Sequence, residues 1–168
     1  TGILVRPHPA NAAYMSKLIG IDGLVVWPKE GSSSTREVEQ QDFYNSLQHC
    51  AAAIGVNTTG MIDAVINNRP CVTILTDEYS ATQSQASHFR HLLEADVLEV
   101  TSGPEDAVKM LGQIYSGEDP KEALRREFVS EFIRPNGLDK TAASLASNVI
   151  ENTALGISVT DINTSLSV

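Results

Sequence analysis

Short apolar runs alternate with longer mixed stretches along most of this chain. Gly2–Arg6 (GILVR) and Gly23–Trp27 (GLVVW) are each followed by proline, which withdraws a backbone donor and ends a strand. Between them Ala10–Ile19 has helical character, with Tyr14 and Leu18 on one side. Lys29–Gln41 is polar, includes Ser32-Ser33-Ser34, and reads as a long exposed loop; Asp42 then caps a helix over Phe43–His49. Ala51–Leu75 (AAAIGVNTTGMIDAVINNRPCVTIL) reads as an apolar strand, a turn of small polar residues, a helix from near Thr59 and a second strand after Arg69-Pro70. A second polar loop, Thr76–Gln85, leads to a helix over Ser87–Leu93, a strand over Asp96–Val100 and a helix over Glu105–Tyr115.

Strands without internal polar alternation, each followed by a helix, predict a parallel sheet covered on both faces. With right-handed crossovers the expected fold is α/β: a doubly wound, parallel, Rossmann-like sheet in three α/β/α layers. After Gly117 the strands stop. Pro120–Phe132 and Leu138–Asn152 are two helical stretches joined through Ile133-Arg134-Pro135-Asn136-Gly137, and Thr153–Val168, rich in Ser and Thr, is expected to fray. The expected organisation is one domain over 1–152 and a flexible tail over 153–168. No internal repeat is present.

Composition narrows the possible functions. A chain of 168 residues with 42% hydrophobic content can build a substantial core. The net charge of −9 argues against non-specific nucleic-acid binding and against docking on anionic membrane by charge. No run approaches the roughly 18 apolar residues of a transmembrane helix. Cys50 and Cys71 lack metal-ligand spacing and are expected as reduced, buried thiols, which fits a cytoplasmic location. The chain starts at Thr1 without a signal peptide, as expected of either a processed product or a fragment of something longer, so the lack of a targeting segment carries little weight.

In open parallel sheets, ligands bind outside the carboxyl ends of the strands. The residues expected on that rim are Arg6-Pro7-His8-Pro9, Pro28-Lys29-Glu30, Asn57-Thr58-Thr59-Gly60 and Thr76-Asp77-Glu78. A helix start there suits a phosphate or diphosphate, since its first N–H groups lack intrahelical partners. Gly55 and Gly60 permit close approach, Thr58 and Thr59 add hydroxyls, and Asp63 lies one turn further in, where a carboxylate can accept from a ribose. Arg6 and Lys29 can neutralise a diphosphate, and His8 can donate to one of its oxygens. The same strand–turn–helix pattern also arises from capping alone. Neither GxGxxG nor GxxxxGK[ST] is present. His88 and His91 share a helix face without a third ligand, so no metal is expected. Adjacent Asp77-Glu78 read as an acidic loop tip, and Ser32–Ser34 lacks a nucleophile context.

With these residues on one rim, the sequence resembles the C-terminal, donor-binding half of a GT-B glycosyltransferase, from about Gly2 to Glu151. The turn and helix place an acid, Asp63, seven residues before Pro70. In the peptidoglycan N-acetylglucosaminyltransferase and its relatives, the corresponding acid, typically glutamate, binds the ribose, and the helix start holds the donor diphosphate. Gln83 and Gln85 in SATQSQASHF match a glutamine-containing loop that contacts the donor sugar. VRPHP is similar to the HP element of capsule- and teichoic-acid-type transferases, and RPNGLDKTAASLASNVIE to the tail of capsular polysaccharide transferases. The resemblance implies a nucleotide-sugar as substrate and no separate cofactor. It also implies a second, acceptor-binding half not represented here, so that this domain alone would not transfer sugar; the full-length protein could lie at the membrane periphery. Arg6, His8, Lys29 and Thr58–Gly60 would stabilise the departing nucleotide, Asp63 the ribose, and Gln83 or Gln85 the sugar. A nucleotide-sugar 2-epimerase, usually marked by an SGG turn and paired glutamates, and a non-catalytic Rossmann-like binding domain are the alternatives.

Overall fold

The computed structural model of the protein describes residues 2–31, 37–158 and 160–162. They fall into two compact units, Thr1–His49 and Cys50–Val168. All strand pairs are parallel and are linked through helices, so the chain is α/β. The single sheet expected from the alternation is, among the described residues, two: five strands of three or four residues pair as β1-β2 and as β3-β4-β5.

In the first unit, β1 (Ile3–Val5) runs beside β2 (Leu24–Val26), with Ile3 opposite Leu24 and Val5 opposite Val26. The helix expected over Ala10–Ile19 is broken into a 3-10 turn (Pro9–Asn11), α1 (Ala12–Met15) and a second 3-10 turn (Ser16–Leu18). At the second of these junctions the Ser16 hydroxyl donates to the Ala13 carbonyl at 2.6 Å. The second correction concerns Lys29–Gln41. Its last residues are helical, α2 running Glu37–His49, and Asp42 lies inside that helix rather than capping it. Glu37 and Glu39 favour a helix start by opposing the dipole, so polar composition there marks a solvated helix and not a loop. Ser32–Ser34 lies outside the described residues.

In the second unit, β3 (Ala53–Gly55), β4 (Cys71–Ile74) and β5 (Glu99–Thr101) lie in that spatial order. Successive strand residues face opposite ways. The Cys71 thiol meets the Met61 carbonyl of α3 (Gly60–Ile66), while Val72 packs on Ala107 and Ile114 of α5 (Pro104–Tyr115). The two helices therefore cover opposite faces of β4, giving three layers within this unit. Phe89 and Leu92 of α4 (Ser87–Glu94) complete the core.

The amino edge of this sheet is held by α6 (Glu122–Phe128) and the residue before it. Asn68 and Asp96, both at φ +53°, make the left-handed turns that end α3 and α4. Arg125 Nε donates to Asn68 Oδ1 at 3.3 Å, and Lys121 Nζ donates to Asp96 Oδ1 at 2.6 Å and to the Leu98 carbonyl at 2.7 Å. Arg125 is fully buried and paired with Asp119 at 2.5 Å. The chain continues through a π turn (Val129–Ile133) to α7 (Ala142–Ala154), which Thr141 caps by accepting from the Ser144 amide at 3.1 Å.

Candidate functional site

The carboxyl edge of β3 carries the turn Asn57–Gly60 into α3. Gly55 is placed so that a Cβ would meet the Thr58 methyl at 3.4 Å, an ordinary contact, so its role is close fit rather than special geometry. The Thr58 hydroxyl accepts from the Gly60 amide at 3.3 Å. Thr59 is the residue before the helix, already helical in φ and ψ, and its side chain makes no capping bond. The Met61 and Ile62 amides donate to the Thr58 and Thr59 carbonyls at 3.0 and 2.9 Å. The first turn is thus tightened, leaving fewer unclaimed N–H groups than an open helix start would. Thr58 and Thr59 are exposed, and among the described residues the Thr59 hydroxyl makes no hydrogen bond.

Asp63 is half-buried on α3, and among the described residues its carboxylate has no hydrogen bond or ion pair. Burial pushes its pKa above the usual carboxylate range. An ionised, partly desolvated and unpartnered carboxylate is costly unless something bound supplies donors.

The loop after β4 reaches back to this turn. Gln83, only 1% exposed, has its amide committed: Nε2 donates to the Val56 and Ile74 carbonyls at 2.8 Å each, and Oε1 accepts from the Thr76 amide at 3.3 Å. As placed, Gln83 ties two strand ends together and has little left for a sugar. Gln85 is exposed, and among the described residues its side chain makes no hydrogen bond. Asn57 Nδ2 donates to the Thr82 carbonyl, and Asn57 Oδ1 faces His88 Nε2 at 2.9 Å. Sequence reasoning grouped His88 with His91; its partner is 31 residues away, where no local pattern could point. Asn57, Thr58, Thr59 and Gly60 therefore form one turn and Asp63 sits one turn into the helix it opens, with Gln83 holding Val56 and His88 holding Asn57.

Arg6, His8 and Lys29 form a separate set within the first unit. Arg6 donates to Ser46 Oγ at 3.0 Å and to the Asp42 carbonyl at 3.4 Å, and its guanidinium lies 5.5 Å from the centre of the Phe43 ring. Burial lowers its pKa, and Asp42 opposes that. The His8 Nδ1 accepts from the Ala10 amide at 3.2 Å and so caps the first 3-10 turn. Lys29 is exposed. Gly31, at φ +74°, is in contact with this turn: a Cβ would lie 2.6 Å from Pro9 Cα.

A cavity of about 500 Å³ opens at the carboxyl ends of β4 and β5, with Leu75, Val100 and Met110 as its apolar lining and Ser102, Asp106 and Lys109 as its polar one. Ser102 donates to Asp106 at 2.6 Å. The sequence reading did not include these residues, although the shared stripe of Asp106, Lys109 and Met110 on one helix face was open to it. Among the described residues no cluster of His, Cys, Asp or Glu is arranged to hold a metal ion, and no helix is long and apolar enough to cross a membrane. Among the described residues Cys50 and Cys71 form no disulfide; Cys71 is buried as expected and Cys50 only half-buried, and burial pushes Cys71 up to about 12.

Compared with protein-family models, with curated proteins and with solved structures, the chain has no match.

Proposed function

We propose that this chain is the nucleotide-sugar-binding half of a GT-B-type glycosyltransferase acting in surface polysaccharide or glycan synthesis, with the donor site on its second unit. The observation that carries the reading is Asp63: a half-buried carboxylate without a partner among the described residues, one turn into the helix that opens at the carboxyl edge of β3. A ribose diol would supply the two donors that this carboxylate lacks. The Thr59 hydroxyl and the Asn57–Gly60 turn would face the donor phosphates, and Gln85 is the glutamine free to reach a sugar. Charge developing on the departing nucleotide would be met by fixed dipoles, without a metal. Because Arg6 is committed to α2, the reading rests on the second unit alone. The acceptor-binding half implied by the sequence resemblance would be the partner needed for transfer.

A second reading, a non-catalytic Rossmann-like binding or scaffold domain, is favoured by Gln83 and by the tightened first turn of α3, where polar groups of the rim serve the fold.

Titration with UDP, CDP, CMP, GDP and ADP, followed by amide shifts, separates the two. The donor reading expects one nucleotide to perturb Thr58–Asp63, and Asp63→Ala to weaken it about tenfold, the size of a lost hydrogen bond to a charged group. Thr59→Val should weaken it less. Unchanged affinity in both variants, with the protein folded, removes the assignment.

A further inference from the structure

We propose that His88 is a positioning residue of the Asn57–Gly60 turn, acting through Asn57; its relevance to a ligand rests on the donor-site reading above. The hydrogen-bond chemistry fixes the arrangement. The Thr82 carbonyl only accepts, so the Asn57 atom facing it is Nδ2, and the atom facing His88 is Oδ1. Oδ1 also only accepts. His88 must therefore carry its proton on Nε2, whatever the state of Nδ1.

The consequence is mechanical. Residue 56 is already fixed, its carbonyl receiving Gln83 Nε2 at 2.8 Å and Thr73 Oγ1 at 3.1 Å. Residue 57 is fixed by Thr82 and His88. The turn therefore enters Thr58-Thr59-Gly60 from two consecutive anchored residues, and α3 begins at Gly60. The outer anchor is itself firm: His88 lies in the first turn of α4, whose Phe89 and Leu92 are 0% and 1% exposed. The His88 ring is exposed and adds little to the core, so its removal should loosen the turn and leave the fold intact.

The test uses His88→Ala and His88→Gln in the whole chain. In ligand-free protein, a long-range proton–nitrogen spectrum should show the His88 proton on Nε2. His88→Ala should shift the Asn57–Gly60 amides and speed their exchange without moving the melting temperature. His88→Gln, whose amide N–H can reach Asn57, should restore them. The nucleotide that binds wild type should bind His88→Ala about fivefold more weakly, as for one lost neutral hydrogen bond, and His88→Gln near normally. A proton on Nδ1 alone, or unmoved Asn57–Gly60 amides in His88→Ala, overturns the proposal. If the ligand-free results hold while wild type binds no nucleotide, the positioning role stands and the donor-site reading falls.

Discussion

The two units use strands of the same apolar kind and bury them to very different degrees. In β1, consecutive residues Ile3 and Leu4 are 59% and 45% exposed, so neither face of the strand is fully covered. In β4, Cys71, Val72 and Thr73 are all 0% exposed. The difference lies in the helices. Residues 9–18 between β1 and β2 break into turns that bury only Ala12, whereas α3 contributes Met61, Ala64 and Val65 to one face of β4, and α5 contributes Ala107 and Ile114 to the other. At about 25 cal/mol per Å² of apolar area removed from water, the second unit holds most of the hydrophobic stabilisation. Apolar strand sequence is thus necessary for a buried sheet and not sufficient; the helix crossing it must offer a continuous apolar face.

The sharpest way to break this contrast is to attack what holds the second unit's amino edge. Arg125→Ala would leave Asp119 without its partner and the Asn68 turn without its donor. Removing one member of a buried pair costs about 3–5 kcal/mol. The lower part of that range is expected, because Asp119 keeps 27% side-chain exposure. Denaturant unfolding measures the loss; a change below about 1 kcal/mol would mean that α6 is peripheral to the unit and the comparison is overdrawn.

In the first unit, the point of closest fit is a turn rather than a core. Gly31→Ala introduces a Cβ 2.6 Å from Pro9 Cα and 2.7 Å from Pro9 N, and holds alanine at φ +74°. The left-handed conformation alone costs about 1–2 kcal/mol, and the neighbour that must yield is backbone. We expect a loss of about 2 kcal/mol with amide shifts centred on His8–Asn11. A variant as stable as wild type would show that the His8-Pro9 turn gives way freely, and the first unit would then be softer still than its exposed strands suggest.

What could be read in the sequence follows the same division. The alternation of apolar strand and helix gave the parallel α/β character and placed β3, α3, β4, α4 and α5 nearly correctly, because each carries its own periodic signal. The extent of the sheet was not legible, since pairing between distant strands depends on contacts that no local window contains. The start of α2 was missed because its charged first turn resembles a loop in composition. Within the candidate site, the Asn57–Asp63 turn was visible as small residues at a strand–helix junction. The commitment of Gln83 to Val56 and Ile74 was not, nor was the His88–Asn57 contact, because both link side chains to segments far along the chain.

The smallest expected effect is also the one that separates a site from a scaffold. Burial raises the Asp63 pKa in the folded chain above its unfolded value of roughly 3.9. Between those two values the native state holds more protons than the unfolded one, so stability falls as pH rises through that window. The cost is fully present above the native pKa and absent below the unfolded one. Asp63→Asn removes the charge at nearly constant shape, and should raise the melting temperature at pH 7 and leave it unchanged below about pH 4. With half the side chain still in water the gain stays below about 1 kcal/mol. A carboxylate kept for a ligand makes a second demand: the variant that is more stable alone must bind nucleotide less well, since an amide accepts through one oxygen where the carboxylate offers two. Greater stability together with weaker binding would mark Asp63 as a group held at a cost for what it binds. Greater stability with no change in binding would remove Asp63 from the site and leave it a partly desolvated charge that, unlike the hydrogen-bonded Gln83, does nothing for the fold of the second unit.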